Sequence, residues 1–114
     1  MSHIFISHVE RDAAIMQQIA DGLEAAGYST WYFERDTLPG ASYIIQILEA
    51  LAQCRAVALI ISPRSVGSDR VTKEVVHGFE TGNPFFRVMY EMSHQKFQQH
   101  QPEWRYALAA SLYI

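Results

Sequence analysis

Glu74 is the residue of this sequence best placed for chemistry. It falls in the second turn of a helix-forming segment that leaves the apolar run Ala56 to Ser62, rotated by about 100° from the stripe that the helix would bury. That direction aims it at the edge of the sheet where the strand ends. Composition alone favours a solvated helix residue, and location is what singles Glu74 out. Arg35, Arg64 and Arg70 lie in or just after three loops that should reach the same edge, and such a set suits an anionic phosphate. Trp31, a residue or two from a strand end, packs in the core or offers a flat ligand a stacking surface.

Other chemistries find little support. His3, His8, His77, His94 and His100 form no i, i+4 pair and none pairs with a cysteine, so no metal site is expected. Cys54, the single cysteine, sits in an apolar helical stretch ending at Arg55 and reads as an inert buried thiol. Neither G-x-G-x-x-G after the first strand nor G-x-x-x-x-G-K-[ST] occurs, which argues against an ordinary dehydrogenase or nucleotide triphosphatase. A receiver domain would need an acidic pair after its first strand and an Asp ending the central one, where this chain has Ser7-His8 and Ser62. The net charge of -3 with scattered Lys and Arg disfavours a nucleic-acid binder. No run approaches the roughly 18 apolar residues of a membrane helix, and Met1 to Phe5 lacks a signal-peptide pattern, so a cytoplasmic protein is expected.

The elements that must position these residues alternate between strand and helix. His3 to Ile6 reads as a first strand, followed by a helix with Ile15, Ile19 and Leu23 on one face and Gly27 as its C-terminal cap. Ser29 to Phe33 is a β-branched and aromatic second strand. Glu34 to Ser42 is a polar loop in which Gly40 takes a positive φ, and Tyr43 to Gln53 is a helix turning Ile44, Leu48, Leu51 and Ala52 inward. The central strand follows, then a helix from Asp69 to Glu80, capped by Ser68 or Asp69, with Val71, Val75 and Phe79 as its buried stripe. Phe85 to Tyr90 is a fourth strand, Met92 to His100 is unassigned, a short helix starts at Pro102, and Ser111 to Ile114 is a truncated fifth strand. A chain of 114 residues in this order predicts one α/β domain with a mainly parallel, flavodoxin-like sheet. Ligands of such sheets bind beyond the carboxyl ends of the strands, here at Ser7 to Arg11, Glu34 to Tyr43, Ser62 to Ser68 and Glu91 to His94.

Three motifs in order carry a family resemblance. They are Ile4-Phe5-Ile6-Ser7-His8, then Gly27 to Trp31 with the loop Arg35 to Ser42 around Pro39-Gly40, then Leu59-Ile60-Ile61-Ser62-Pro63 with Ser68 to Glu74. Together they resemble the TIR (Toll/interleukin-1 receptor) domain of the bacterial type over nearly the whole chain. The resemblance implies a five-stranded flavodoxin-like three-layer sandwich. It also implies a domain of a longer protein, because the sequence stops before the family's final helix.

Many members of that family cleave NAD+ at the nicotinamide-ribosyl bond, some cyclising the product. The resemblance makes Glu74 the catalytic glutamate and the Arg35 to Ser42 loop the one that opens and closes over the site. It makes Ser7, His8, Arg11, Trp31, Arg35, Gly40, Ser42 and Arg70 candidate NAD+ contacts. NAD+ is then the substrate and no cofactor or metal is needed. Departure of nicotinamide leaves positive charge on the ribose, which a carboxylate can stabilise, while arginines and helix-start amides hold the diphosphate. Two departures stand out. The tryptophan four residues before the glutamate in many active members is Arg70, and a basic pair after the first motif is Val9-Glu10, leaving Arg11. The expected function is an NAD+ nucleosidase activated by self-association with other TIR domains, in bacterial defence or signalling. The alternative is a non-catalytic module for TIR–TIR assembly.

Overall fold

Five apolar segments, Ile4–Ser7 (β1), Thr30–Trp31 (β2), Ala56–Ile61 (β3), Phe85–Met89 (β4) and Leu112–Tyr113 (β5), pair in parallel in the order β2-β1-β3-β4-β5. The computed structural model describes residues 3–100, 102–109 and 112–113. Parallel neighbours need long crossovers, and helices supply them: Ala13–Ala25 (α1), Phe33–Asp36 (α2), Tyr43–Gln53 (α3), Asp69–Glu80 (α4), His94–Phe97 (α5) and Pro102–Ala107 (α6).

β3 is buried at all six positions, as a central strand covered on both faces must be. Because successive side chains point to opposite faces, Val57, Leu59 and Ile61 join Phe5 in the layer of Ile47, Leu51, Val71, Val75 and Trp104. Ala58 and Ile60 join Ile4 and Ile6 against Met16 and Ala20 of α1, flanked by Ile15, Ile19 and Leu23. Gly27 and Gly40 take φ of 96° and 86°, as their places at a helix end and in a turn lead one to expect.

Several local expectations give way to tertiary context. The second strand ends at Trp31 rather than Phe33, because the Asp36 carboxylate reaches back to accept from the Tyr32 amide at 2.9 Å and closes the single turn of α2. The strand propensity of Tyr32 and Phe33 is overridden there, and a helical turn replaces the start of the expected loop. In α3 the buried residues are Ile47, Ala50 and Leu51, whereas Ile44, Leu48 and Ala52 are exposed. Tyr43, Ile44, Ile45, Ile47, Leu48 and Leu51 are apolar around most of the helix, so periodicity could not choose the buried face.

In α4 the buried residues are Val71, Glu74, Val75 and Gly78, and Phe79 lies exposed, edge-on to Tyr106. The Phe85 ring stands only 2.8 Å from where a Cβ on Gly78 would be, so the closest contact with β4 falls three residues beyond Val75. Ser68 caps the helix by accepting from the Val71 amide at 3.2 Å. The unassigned segment after β4 forms α5, which buries Phe97, and α6 buries Trp104 with its indole N–H donating to Thr72 Oγ1 at 2.8 Å. β5 pairs beside Phe86 and Arg87, while Ser111 and Ile114 of the expected strand lie outside the described residues.

Candidate functional site

Ser7 is the last residue of β1 and shares the strand face of Phe5, which is turned toward α3 and α4. Glu74 follows Val71 by three positions and precedes Val75 by one, so the same packing that buries those valines carries its carboxylate to the end of β1. The carboxylate is 3% exposed. Its Oε1 accepts from Ser7 Oγ at 2.6 Å and its Oε2 from Arg70 Nη1 at 2.9 Å. The other guanidinium nitrogen donates to the His8 carbonyl at 2.7 Å, and the guanidinium lies over the Phe33 ring, 4.9 Å from its centre. His8 is wholly buried, and its Nε2 is 3.0 Å from Glu34.

Burial pushes the Glu74 carboxyl above its ordinary pKa, the loss of water outweighing the opposing pull of Arg70 and Ser7. A buried carboxyl perturbed in this way and opening onto a cleft is the pattern of functional sites.

That cleft has a volume of about 420 Å³. Phe33 and, from α3, Tyr43, Ile44, Ile47, Leu48 and Leu51 form its apolar side; Arg70, Lys73, Glu74 and His77 of α4 form the other. Phe33 meets Tyr43 edge-on at 5.4 Å, which joins α2 to the start of α3 along one wall. Such a cleft can hold a flat, partly apolar molecule against one carboxylate, with basic side chains along the helix for an anionic tail.

Ser7, Glu74 and Arg70 are thus brought together, and His8 joins them through its carbonyl. The remaining candidates lie elsewhere. Arg11 is exposed on the 3-10 turn Glu10–Asp12, outside the cleft lining. Trp31 stacks on Phe5 with ring centres 5.0 Å apart and faces a separate recess shared with His3, Asp36 and Gln46. α3 lines both recesses, with Gln46, Glu49, Ala50 and Gln53 toward the one at Trp31 and Ile44, Ile47 and Leu48 toward the one at Glu74.

Arg35 is committed to Glu24, Asp36 and the Thr30 carbonyl, and Arg64 to Asp12 and Glu91. The three arginines therefore do not converge: nearby carboxylates draw two of them away, and Arg70 alone reaches the cleft. Gly40 lies in the exposed loop before α3, and Ser42 caps that helix by accepting from the Ile45 amide at 3.3 Å. Among the described residues no group of three or more His, Cys, Asp or Glu side chains is placed to hold a metal ion.

Sequence reasoning placed Tyr43 at the ligand edge but missed Phe33, Ile44, Leu48, Lys73 and His77. For the last two a signal existed, since Arg70, Lys73, Glu74 and His77 are spaced i, i+3, i+4, i+7 and must share one helix face. For the aromatic and aliphatic wall there was none, because apolar residues in α3 look like core.

Comparison with known proteins places this geometry in context. The chain is 34% identical over 68 residues to the stimulator of interferon genes protein of Magallana gigas, a stretch covering 59% of this chain and 16% of that protein. A metazoan TIR-STING receptor from C. gigas superposes with a TM-score of 0.75 at 25% identity, over 98% of this chain and 37% of that one. The same receptor in complex with 2',3'-cGAMP gives 0.76 at 26% identity, over 100% of this chain and 34% of that one. The chain thus spans about one sixth of the curated relative and about a third of the solved receptor chains. The TIR domains of the activated Roq1 resistosome (TM-score 0.79, 16% identity, 96% of this chain and 69% of that one) share the fold. So does the TIR domain of the Toll-related receptor TRR-2 of Hydra magnipapillata (0.79, 19%, 99% and 84%). The family model described as TIR domain matches residues 4–112, and with the sheet order and cleft described above the chain belongs to the TIR-domain family.

Proposed function

We propose that the chain cleaves NAD+ at the nicotinamide-ribosyl bond, with Glu74 as the catalytic carboxylate. The observation that carries this reading is a desolvated glutamate at the end of an apolar cleft in a TIR domain, and the motif resemblance makes that glutamate the catalytic one. The C1′–N bond breaks with its electron pair leaving on nicotinamide, which becomes neutral, and positive charge develops on the ribose. A carboxylate buried beside that ribose stabilises the charge more than it would in water, since little solvent screens it. Water then adds to C1′ and gives up a proton to solvent, yielding ADP-ribose; attack by the adenine instead yields a cyclic product. NAD+ is substrate, and neither a metal nor a further cofactor takes part.

The test follows NAD+ by chromatography at low and high protein concentration, beside Glu74→Ala. Consumption with release of nicotinamide, reduced at least about 100-fold in the variant, is expected, by analogy with the loss of one transition-state electrostatic contact. NAD+ left intact at every concentration sinks the reading.

One observation favours a second role, assembly with other TIR domains. Leu38, Ile44 and Ile45, in and just after the Gly40 loop, are 68%, 70% and 57% exposed, an apolar patch beside the cleft mouth. Ile45 does not line the cleft, so Ile45→Glu should abolish self-association in sedimentation while a concentrated sample keeps the Glu74 site intact. Assembly and catalysis combine if NAD+ consumption rises steeply with concentration and Ile45→Glu removes the rise.

A further inference from the structure

Both oxygens of the Glu74 carboxylate accept from protein donors, Oε1 from Ser7 and Oε2 from Arg70. Each oxygen keeps a second lone pair, but the carboxylate is 3% exposed and the Arg70 guanidinium paired with it lines the same cleft, so the arginine limits a ligand's approach. The two donors differ in how they can yield. Ser7 is 1% exposed and built into the end of β1 between paired strands, so it stays. The Arg70 side chain is 35% exposed, stands in the first turn of α4 on the cleft side, and is held by one carboxylate oxygen, one carbonyl and one aromatic face.

We propose that Arg70 is a displaceable counter-ion: it pairs with Glu74 Oε2 at the cleft, and the diphosphate of a bound dinucleotide draws it off, which opens that oxygen to the ribose. This deepens the NAD+ reading and rests on it for the identity of the ligand. A guanidinium pairs with a phosphate in a two-point fork as readily as with a carboxylate, and a diphosphate offers more charge than Glu74 does. Lys73, exposed one turn along the same cleft wall, adds a second cation where the displaced Arg70 would lie. The device makes Arg70 a specificity-determining residue. Ligands carrying a diphosphate uncover the carboxylate, and nicotinamide ribosides without one leave it covered.

The experiment is an NMR titration of the full chain with ADP-ribose and, separately, with nicotinamide riboside, for the wild type, Arg70→Gln and Arg70→Lys. ADP-ribose should shift the Arg70 Nε–H resonance and the Glu74 carboxyl carbon together. Arg70→Gln should weaken ADP-ribose about tenfold or more, the usual effect of losing a charged hydrogen bond, while nicotinamide riboside binds no worse than to the wild type. Arg70→Lys, which keeps a cation but loses the two-point fork, should weaken ADP-ribose by less than Arg70→Gln yet measurably, about threefold or more, with nicotinamide riboside unchanged, and serves if Arg70→Gln proves unstable.

Equal weakening of both ligands, unchanged ADP-ribose affinity in Arg70→Gln, or no binding of ADP-ribose to the wild type overturns the proposal. An NAD+ assay on the same samples separates it from the enzyme reading. Intact NAD+ with Arg70-dependent ADP-ribose binding defeats the enzyme and keeps the counter-ion; NAD+ cleavage with Arg70-independent binding does the reverse.

Discussion

The Arg70–Glu74 pair should be energetically lopsided, and a double-mutant cycle with Arg70→Gln and Glu74→Gln measures this. Glu74 is 3% exposed and, among the described residues, accepts from Ser7 and Arg70. Removing one partner of a fully buried pair costs about 3–5 kcal/mol, because the other charge is left uncompensated. Arg70 is 35% exposed, so solvent screens part of its contribution, and a loss of about 2 kcal/mol is expected for Arg70→Gln at pH 8. Glu74→Gln leaves a cation that can turn toward water. It also removes a carboxylate that burial already disfavours, so its stability should stay within about 1 kcal/mol of the wild type. The double variant should then be no worse than Arg70→Gln, with a coupling of about 1–2 kcal/mol.

The pH dependence has a defined sign. Burial holds the Glu74 carboxyl above its ordinary pKa of 4.5 in the folded chain, and losing Arg70 removes the main opposing influence. The folded state therefore binds its proton before the unfolded chain does, and native stability rises as pH falls through the folded-state pKa toward 4.5. The Arg70→Gln deficit should shrink over that range and be largest above it. Urea unfolding at a series of pH values between 4.5 and 8 reads both quantities. Equal losses from the two single variants, or an Arg70→Gln deficit that is the same at both ends of the series, would refute the reasoning.

Other sites give simpler expectations. Gly78→Ala should lower stability by about 1–2 kcal/mol in urea despite better helix propensity, because the new methyl meets the buried Phe85 ring at 2.8 Å; Phe85→Leu in the same chain should recover part of the loss. Asp12→Asn should cost about 2 kcal/mol by the same measurement. Asp12 is 2% exposed and accepts from Ser62 Oγ at 2.5 Å and Arg64 Nε at 2.6 Å, which ties the segment after β1 to the one after β3. The Cys54 thiol, pushed by burial from 9.0 to about 11, should react with iodoacetamide at pH 8 about 100-fold more slowly in the folded chain than in urea.

Much of the fold and one half of the site were legible along the chain. The all-buried run from Ala56 to Ile61 and the alternation of strand and helix predicted a flavodoxin-like sheet, and the motif order predicted the family. Errors fell where a local pattern was ambiguous or a side chain reached across it. α3 carried too many apolar residues for its period to mark one face, and Tyr43, Ile44, Ile47, Leu48 and Leu51 became the wall of a cleft. Asp36 turned the end of an aromatic strand into a helix.

The sequence by itself determined that Arg70, Lys73, Glu74 and His77 share a face, because helical pitch ties spacing to direction and needs no partner. Only the tertiary structure decided what that face meets. Ser7 lies 67 residues from Glu74 and reaches it through the register of β1 against β3. Arg35 and Arg64 were drawn from the cleft by Glu24, Asp36, Asp12 and Glu91, while Arg70 pairs with Glu74 at the cleft. Charge pairing in a folded chain follows proximity in space, and for all but i, i+4 neighbours that proximity is set by packing rather than by distance along the sequence.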